Sequence, residues 1–413
     1  MRRWTRRRLL GAFVAGAGGA LASGLRPSPP LAFPRSAGSG ANDRLRLGVI
    51  GTGGRAHHLM KLLNEIGQSD FVALCDVYEP RVVSARDLAG GKAETFADFR
   101  RVLDRKDVDA VVIATPDHWH CPMITAAVAA GKDVYVEKPL SRTIDEGALA
   151  VKAVRGTNRI VQIGLQQRSW PHFVRAKELL REGKVGKINL VLCHWYQNYP
   201  RALPRLEVET KKLDWKAFLG SAREQPLDPA RFRFWRFYWD FAGGILTDLL
   251  THWIDVIQWA MDEEAPRSAT AVGARESNEY FETPDTVSAS FVYSKGFIVT
   301  YNGSMNCSLT GGGIVFRGDK GYLELNRDRL ALFPEGAKPA ENTSFPEPEL
   351  LLASDHDGTK DHLANFLDSV RARKEPNAPI EVGQSASRTS HLGNLSLRSG
   401  KTVEWDGASG RAI

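Results

Sequence analysis

Cysteine is scarce in this chain: four residues in 413, at positions 75, 121, 193 and 307, with no CxxC pair among them. That excludes a disulfide scaffold and gives no spacing for zinc or dithiol chemistry, so Cys75, Cys121, Cys193 and Cys307 are expected as free, mostly buried thiols. A membrane-spanning run is lacking as well. Leu9 to Ala22 is apolar, but it is rich in Gly and Ala and falls short of the ~20 residues a bilayer requires. Proline and glycine, at 21 and 38, are present at ordinary levels, and 43% of residues are hydrophobic, so collagen-like and disordered classes are excluded. Neither sign of charge dominates, with 55 Lys and Arg against 48 Asp and Glu.

The small surplus of +7 is unevenly placed. Arg2, Arg3, Arg6, Arg7 and Arg8 stand in the first eight residues, and no acidic residue occurs before Asp43. The apolar run that follows ends in Ala20-Leu21-Ala22, a small-residue cleavage pattern, so residues 1–22 read as an export signal. Thr5-Arg6-Arg7-Arg8-Leu9-Leu10 resembles the twin-arginine export motif. The expected destination is the periplasm by way of the twin-arginine translocase, or its membrane if the signal stays uncleaved. Residues 23–44, half of them Pro, Gly and Ser, read as a linker. The signal carries +5 and the linker +2, which leaves a body of zero formal charge from Leu45 onward. A basic nucleic-acid surface is therefore not expected.

The body opens with an apolar strand pattern, Leu45 to Ile50, then Gly51-Thr52-Gly53-Gly54-Arg55-Ala56, then Leu59, Leu62, Leu63 and Ile66 at helical spacing. Strand, glycine turn and helix in that order form the dinucleotide fingerprint. Gly51 permits the tight turn, Gly53 lets backbone amides approach a pyrophosphate, and the small Ala56 lets helix pack on strand. A second strand, Phe71 to Cys75, ends in Asp76, where an acid holds both ribose hydroxyls and repels a 2′-phosphate. NAD is expected over NADP, with Arg55 or Arg81 able to soften the preference. Further alternation follows: Phe99–Leu103 as helix, 110–114 as strand, 122–130 as helix and 133–136 as strand. This pattern describes a doubly wound parallel sheet. Two polar clusters fall at strand ends, where such sheets bind ligands: Thr115-Pro116-Asp117-His118-Trp119-His120 and Glu137-Lys138-Pro139.

These motifs, with Val161 to Arg168, Gly183 to Lys187, Gly243-Gly244-x3-Asp248-x3-His252-x2-Asp255 and Asn365 to Asp368, resemble the Gfo/Idh/MocA family in order and spacing. The resemblance implies an α/β protein: an N-terminal Rossmann domain over 45–164, and over 165–413 an α+β domain with an open, mostly antiparallel sheet for substrate binding and oligomer contacts. It implies Lys138 as the active-site lysine, with Asp248 and His252 beside it. The residues agree, since spacings of four and three put 248, 252 and 255 on one helix face, and Phe232 to Phe241 adds the aromatic surface that sugar sites use. A metal site from Asp248, His252 and Asp255 lacks a further His or Cys ligand at suitable spacing, so none is expected. Gly51, Thr52, Gly53, Gly54, Arg55, Asp76, Thr115, Pro116, Asp117, His120, Glu137, Lys138 and Gln166 are expected around the cofactor, and Arg168, Trp235, Arg236 and Asp255 near substrate.

The implied activity is oxidation of a sugar, polyol or glycoside hydroxyl, with His252 as base, Lys138 on the same oxygen, and a tightly held NAD. Two alternatives remain open in sequence: an NAD-dependent glycoside hydrolase that oxidises transiently, and a sugar-binding protein without chemistry. One open sheet face points to a homodimer or homotetramer.

Overall fold

The structure is a computed structural model and describes residues 44–199, 207–276, 280–339 and 346–413. The expected export signal and all of the linker but Arg44 lie outside the described residues.

Six strands form the first sheet: β1 (Leu45–Ile50), β2 (Ser69–Cys75), β3 (Glu94–Phe96), β4 (Ala110–Ile113), β5 (Asp133–Val136) and β6 (Val161–Ile163). Their order is β3-β2-β1-β4-β5-β6 and every neighbouring pair is parallel. Helices cover both faces, so β4 and β5 are buried at every position. Their unbroken apolar runs are what a doubly covered sheet requires. The strand order reverses beside β1, which opens a crevice between the carboxyl ends of β1 and β4.

One face of this sheet is completed from far along the chain. Helix Thr359–Ala372 inserts Leu363, Phe366 and Leu367 among Leu47, Val49, Leu59 and Leu63 in a single apolar cluster. His362 on the same helix donates from Nε2 to the Ile163 carbonyl (2.9 Å), and its Nδ1 accepts from Ser169 Oγ (2.8 Å). The nucleotide-binding half is thus not closed at residue 164. It includes this late helix.

The second sheet runs β14 (Leu350–Ala353), β13 (Arg329–Pro334), β12 (Gly321–Leu325), β11 (Gly312–Gly318), β7 (Ile188–Tyr196), β10 (Ile298–Ser304), β9 (Thr286–Val292), β8 (Ser268–Ala274), β15 (Val403–Asp406) and β16 (Arg411–Ala412). It is antiparallel apart from β7 with β10. Its inner face and the helix Thr251–Met261 share the largest apolar cluster, which holds Trp253, Phe291, Tyr301 and Phe316. The outer face alternates into solvent. Helix Ile380–Ser399 then locks the halves together through small polar residues. Ser387 Oγ accepts from the Leu140 amide (2.8 Å), the Ser390 and Thr251 hydroxyls meet at 2.9 Å, and His391 Nε2 donates to the Ser141 carbonyl (2.9 Å). These bonds fix the turn after β5 and the helix that carries His252. All four cysteines are free thiols, and only Cys307 is exposed.

Phe366 is fully buried. Phe366→Ala is expected to cost about 3–5 kcal/mol, read as a lowered unfolding temperature by calorimetry. Burial also holds His118, His362 and His391 down at about 4. The unfolded chain binds protons at these groups below ~6.5, and the folded chain does so only near 4. Their stabilisation is therefore complete above pH ~6.5 and is lost as pH falls toward 4. Asp117 and Asp255, whose carboxyls burial raises, oppose this, but the buried imidazoles outnumber them. The unfolding temperature should fall steadily over that window, and a flat profile would contradict the assignment.

Candidate active site

A cavity of about 750 Å³ opens at the β1–β4 crevice, bordered by Gly51, Gly53, Asp76, Arg81, Thr115 and Trp235. Gly51 has φ +81°, and a Cβ there would lie 2.8 Å from the Ala114 backbone. Only glycine makes that turn at this distance. Beyond it, a Cβ on Gly54 would meet nothing within 4 Å, and one on Gly53 only the Arg81 guanidinium at 3.9 Å. The start of helix Gly54–Ile66, whose first-turn amides have no partner within the helix, therefore borders the cavity, as a pyrophosphate requires. Asp76 Oδ2 accepts from the Thr52 amide (2.8 Å) and Oδ1 from the Tyr78 amide (2.9 Å), which fixes the carboxylate at the cavity wall. Arg81 stands over Phe232 (4.6 Å) with no carboxylate partner within 4 Å among the described residues. Open amides, an acid at the ribose position and an unpaired cation together fit a dinucleotide.

The second half roofs this cavity. The Asp214 amide donates to the Val77 carbonyl (2.8 Å), and the Phe218 carbonyl accepts from Trp119 Nε1 (2.9 Å) and from His118 Nε2 (3.0 Å). The short helix Trp215–Leu219 is thereby tied over the loop that follows β4.

A smaller cavity of about 190 Å³ adjoins it and shares Arg55, Thr115, Trp235 and Arg236. Lys138, at the end of β5, donates from Nζ to Asp248 Oδ1 (2.8 Å) and to the Asp248 carbonyl (2.5 Å). Asp248 sits in a π-helical turn, Leu246–Leu250, that leads into helix Thr251–Met261. Such wide turns recur at functional sites because they re-aim side chains. Arg236 Nε lies 3.4 Å from the same Oδ1. Burial would raise the Asp248 carboxyl, but Lys138 and Arg236 overcome it and hold it below the usual range. His252, one turn on, stacks on Trp195 (5.6 Å, 26°), and its buried Nδ1 has no hydrogen-bond partner. Burial first, then Lys138, Arg327 and Arg55, depress its imidazole well below 6.5. Arg55 Nε donates to Glu137 (2.7 Å), and the Gln166 amide oxygen accepts from the other end of the guanidinium (3.1 Å).

The structure thus brings Lys138, Asp248, His252, Arg55, Thr115, Glu137, Gln166, Trp235 and Arg236 around one cavity, with Gly51, Gly53, Gly54, Asp76 and Pro116 around the other. Thr52 is fully buried and reaches the site through its amide. Four expected residues lie elsewhere. His120 bridges the Thr115 (3.0 Å) and Pro139 (2.6 Å) carbonyls, so it ties the ends of β4 and β5 and lines neither cavity. Asp117 is buried beneath its turn, within electrostatic range of Asp248. Arg168 and Asp255 form an ion pair with each other (2.8 Å), both nearly excluded from solvent, with Arg168 over Trp259. Helix spacing put Asp255 beside His252, but Arg168 draws it to the turn after β6. Trp195 and Arg327 line or support the small cavity and carried no sequence signal, because each comes from a strand or hairpin of the second sheet.

Comparison with known proteins agrees with this architecture. Residues 45–165 match the oxidoreductase family, NAD-binding Rossmann fold, and residues 173–324 match the GFO/IDH/MocA C-terminal domain. Inositol 2-dehydrogenase 2 of Saccharopolyspora erythraea is 35% identical over 163 residues, 39% of this chain and 48% of that protein. Levoglucosan dehydrogenase of Pseudarthrobacter phenanthrenivorans is 30% identical over 233 residues, 54% of this chain and 52% of that protein. The chain spans about half the length of these curated relatives. A levoglucosan dehydrogenase structure in complex with NADH and levoglucosan shares the fold, with TM-score 0.69 at 19% identity over 87% of this chain and 99% of that one.

Proposed function

We propose that this chain, which belongs to the Gfo/Idh/MocA oxidoreductase family through both matched domains, oxidises a secondary or anomeric alcohol of a sugar or polyol. The observation that carries this reading is a neutral, unpaired imidazole at His252 sharing a small cavity with Lys138, next to the crevice that fits a dinucleotide. Converting an alcohol to a carbonyl removes a proton from oxygen and a hydride from carbon, and NAD, when bound, supplies the hydride acceptor. His252 takes the proton. Its depressed basicity keeps the lone pair free of a proton near neutral pH. An ammonium has three donors; Lys138 uses two on Asp248 and directs the third at the substrate oxygen, where it favours alkoxide character. Asp248 fixes Lys138 and, through Arg236, the floor beneath it.

The coenzyme is held tightly in this reading, because its release requires the roof over 214–218 to lift. That suits export in the folded state through the twin-arginine translocase, to a periplasm from which coenzyme cannot be replenished, so the reduced coenzyme is reoxidised on the protein, by passing its hydride to a second, carbonyl-bearing substrate or back to the first within one turnover. Association of two or four copies through the outer sheet face is supported by what that face presents: Tyr322 stacked on Phe333 (4.5 Å), with Leu351 and Ile298 exposed.

His252→Ala is expected to lower turnover by about 10²–10⁴-fold with bound NAD content unchanged. The acid limb of wild-type kcat should lie well below pH 6.5. Reduction of the coenzyme by sugars and polyols, followed together with aglycone release from aryl glycosides, separates oxidation from hydrolysis; wild-type turnover by His252→Ala would overturn the assignment. For export and assembly, cell fractionation should place the protein in the periplasm, with a light-scattering mass at least twice that of one chain. The paired change Arg6→Lys and Arg7→Lys should retain it in the cytoplasm. Unchanged fractionation, or a single-chain mass, would refute the corresponding reading.

A further inference from the structure

The small cavity is unbalanced in charge. Four cations line it, Arg55, Lys138, Arg236 and Arg327, against two carboxylates, Glu137 and Asp248. Glu137 is taken by Arg55, and Asp248 by Lys138 and Arg236. Arg327 has no carboxylate within ion-pair distance among the described residues, and its Nε is buried without a hydrogen-bond partner. Of the two acids outside the cavity whose charge bears on it, Asp357 is already engaged by His58 (3.1 Å) and by the Thr359 amide (2.9 Å), and Asp328 lies beyond ion-pair distance. Burial lowers the Arg327 guanidinium to about 10, the opposite of what a paired arginine shows.

Its rings do not account for it. Arg327 stands 4.8 Å from the centroid of Trp195 and 5.8 Å from that of Trp170. A cation–π contact offsets only part of what desolvating an ion costs. The stack does something more useful. Trp195 packs on both Arg327 and His252, so the guanidinium is held at a set distance from the base. A planar guanidinium with open donors matches an oxyanion bidentately. The oxidised nicotinamide would bring another positive charge into this region and would not relieve the surplus.

We propose that the substrate is an anionic sugar, whose carboxylate or phosphate pairs with Arg327 while a ring hydroxyl lies between His252 and Lys138. This rests on the alcohol-oxidising reading above and specifies its substrate class. Arg327 is the residue that selects the anion, and Trp195 positions it.

The purified holoenzyme is incubated with hexuronates and aldonates, with hexose phosphates, and with the matching neutral hexoses, while reduction of the bound coenzyme is recorded. Either class of acid should exceed its neutral counterpart by about 10²-fold or more in the second-order rate constant for reducing the bound coenzyme, and the two acid arms identify the oxyanion. Arg327→Gln should lower that ratio by about the same factor, with Arg327→Lys restoring part of it, and circular dichroism checks that both variants fold. Neutral sugars oxidised as well as their acids would overturn the proposal and leave the dehydrogenase reading standing. If no compound reduces the coenzyme, the dehydrogenase reading fails, and calorimetric titration with the same compounds still decides the anion: acids that bind wild type but not Arg327→Gln support it, and equal binding of acid and neutral sugar refutes it.

Discussion

Lys138 and Asp248 come from opposite halves of the molecule and meet at 2.8 Å with little access to solvent. A buried ion pair is costly to form and more costly to break by removing one member, so this contact constrains the cavity strictly. It sets the distance between the end of β5 and the π-helical turn, and with it where His252 can stand. It also engages the carboxylate one turn before the base. His252 is left facing cations, neutral and unpartnered, which is the condition a proton acceptor needs before substrate arrives. Arg236 adds a second cation to the same oxygen, so Asp248 stays charged despite its burial.

The other contacts between the halves serve the same constraint. Ser387, Ser390 and His391 on one late helix bond the turn after β5 and the start of the His252 helix. The roof over the larger cavity, tied to Val77, His118 and Trp119, holds the far side. With the two halves pinned at front and back, the small cavity has a fixed width.

Much of this was legible in the sequence, for reasons of locality. The glycine turn, Asp76 and the strand-end clusters are short-range patterns, and their consequences are enforced by backbone geometry at Gly51 and by burial of β4 and β5. Lys138, Asp248 and His252 followed from family resemblance and helix spacing together. The same spacing misplaced Asp255, because periodicity reports a face and not its partner, and Arg168 across the interface claims that carboxylate. Likewise His120 looked like a ligand-facing residue by its place in a strand-end loop, yet two backbone carbonyls occupy its ring. Arg327 was invisible: it stands in a hairpin 75 residues beyond His252, and only tertiary packing against Trp195 brings it to the site. Helix Ile380–Ser399 gave no apolar stripe, since it packs by hydroxyls and small residues in place of a greasy face.

The return of helix Thr359–Ala372 to the first sheet has a consequence for biosynthesis. A ribosome delivers β1 to β6 early, but Leu363, Phe366 and Leu367 complete their apolar cluster only after a further stretch of roughly 200 residues has been made. Until then helix Gly54–Ile66 covers that face of the parallel sheet only in part, and the apolar surface left over invites aggregation. Final consolidation of the coenzyme domain therefore waits on the synthesis of the second sheet, and the nascent first sheet needs cover until helix Thr359–Ala372 emerges.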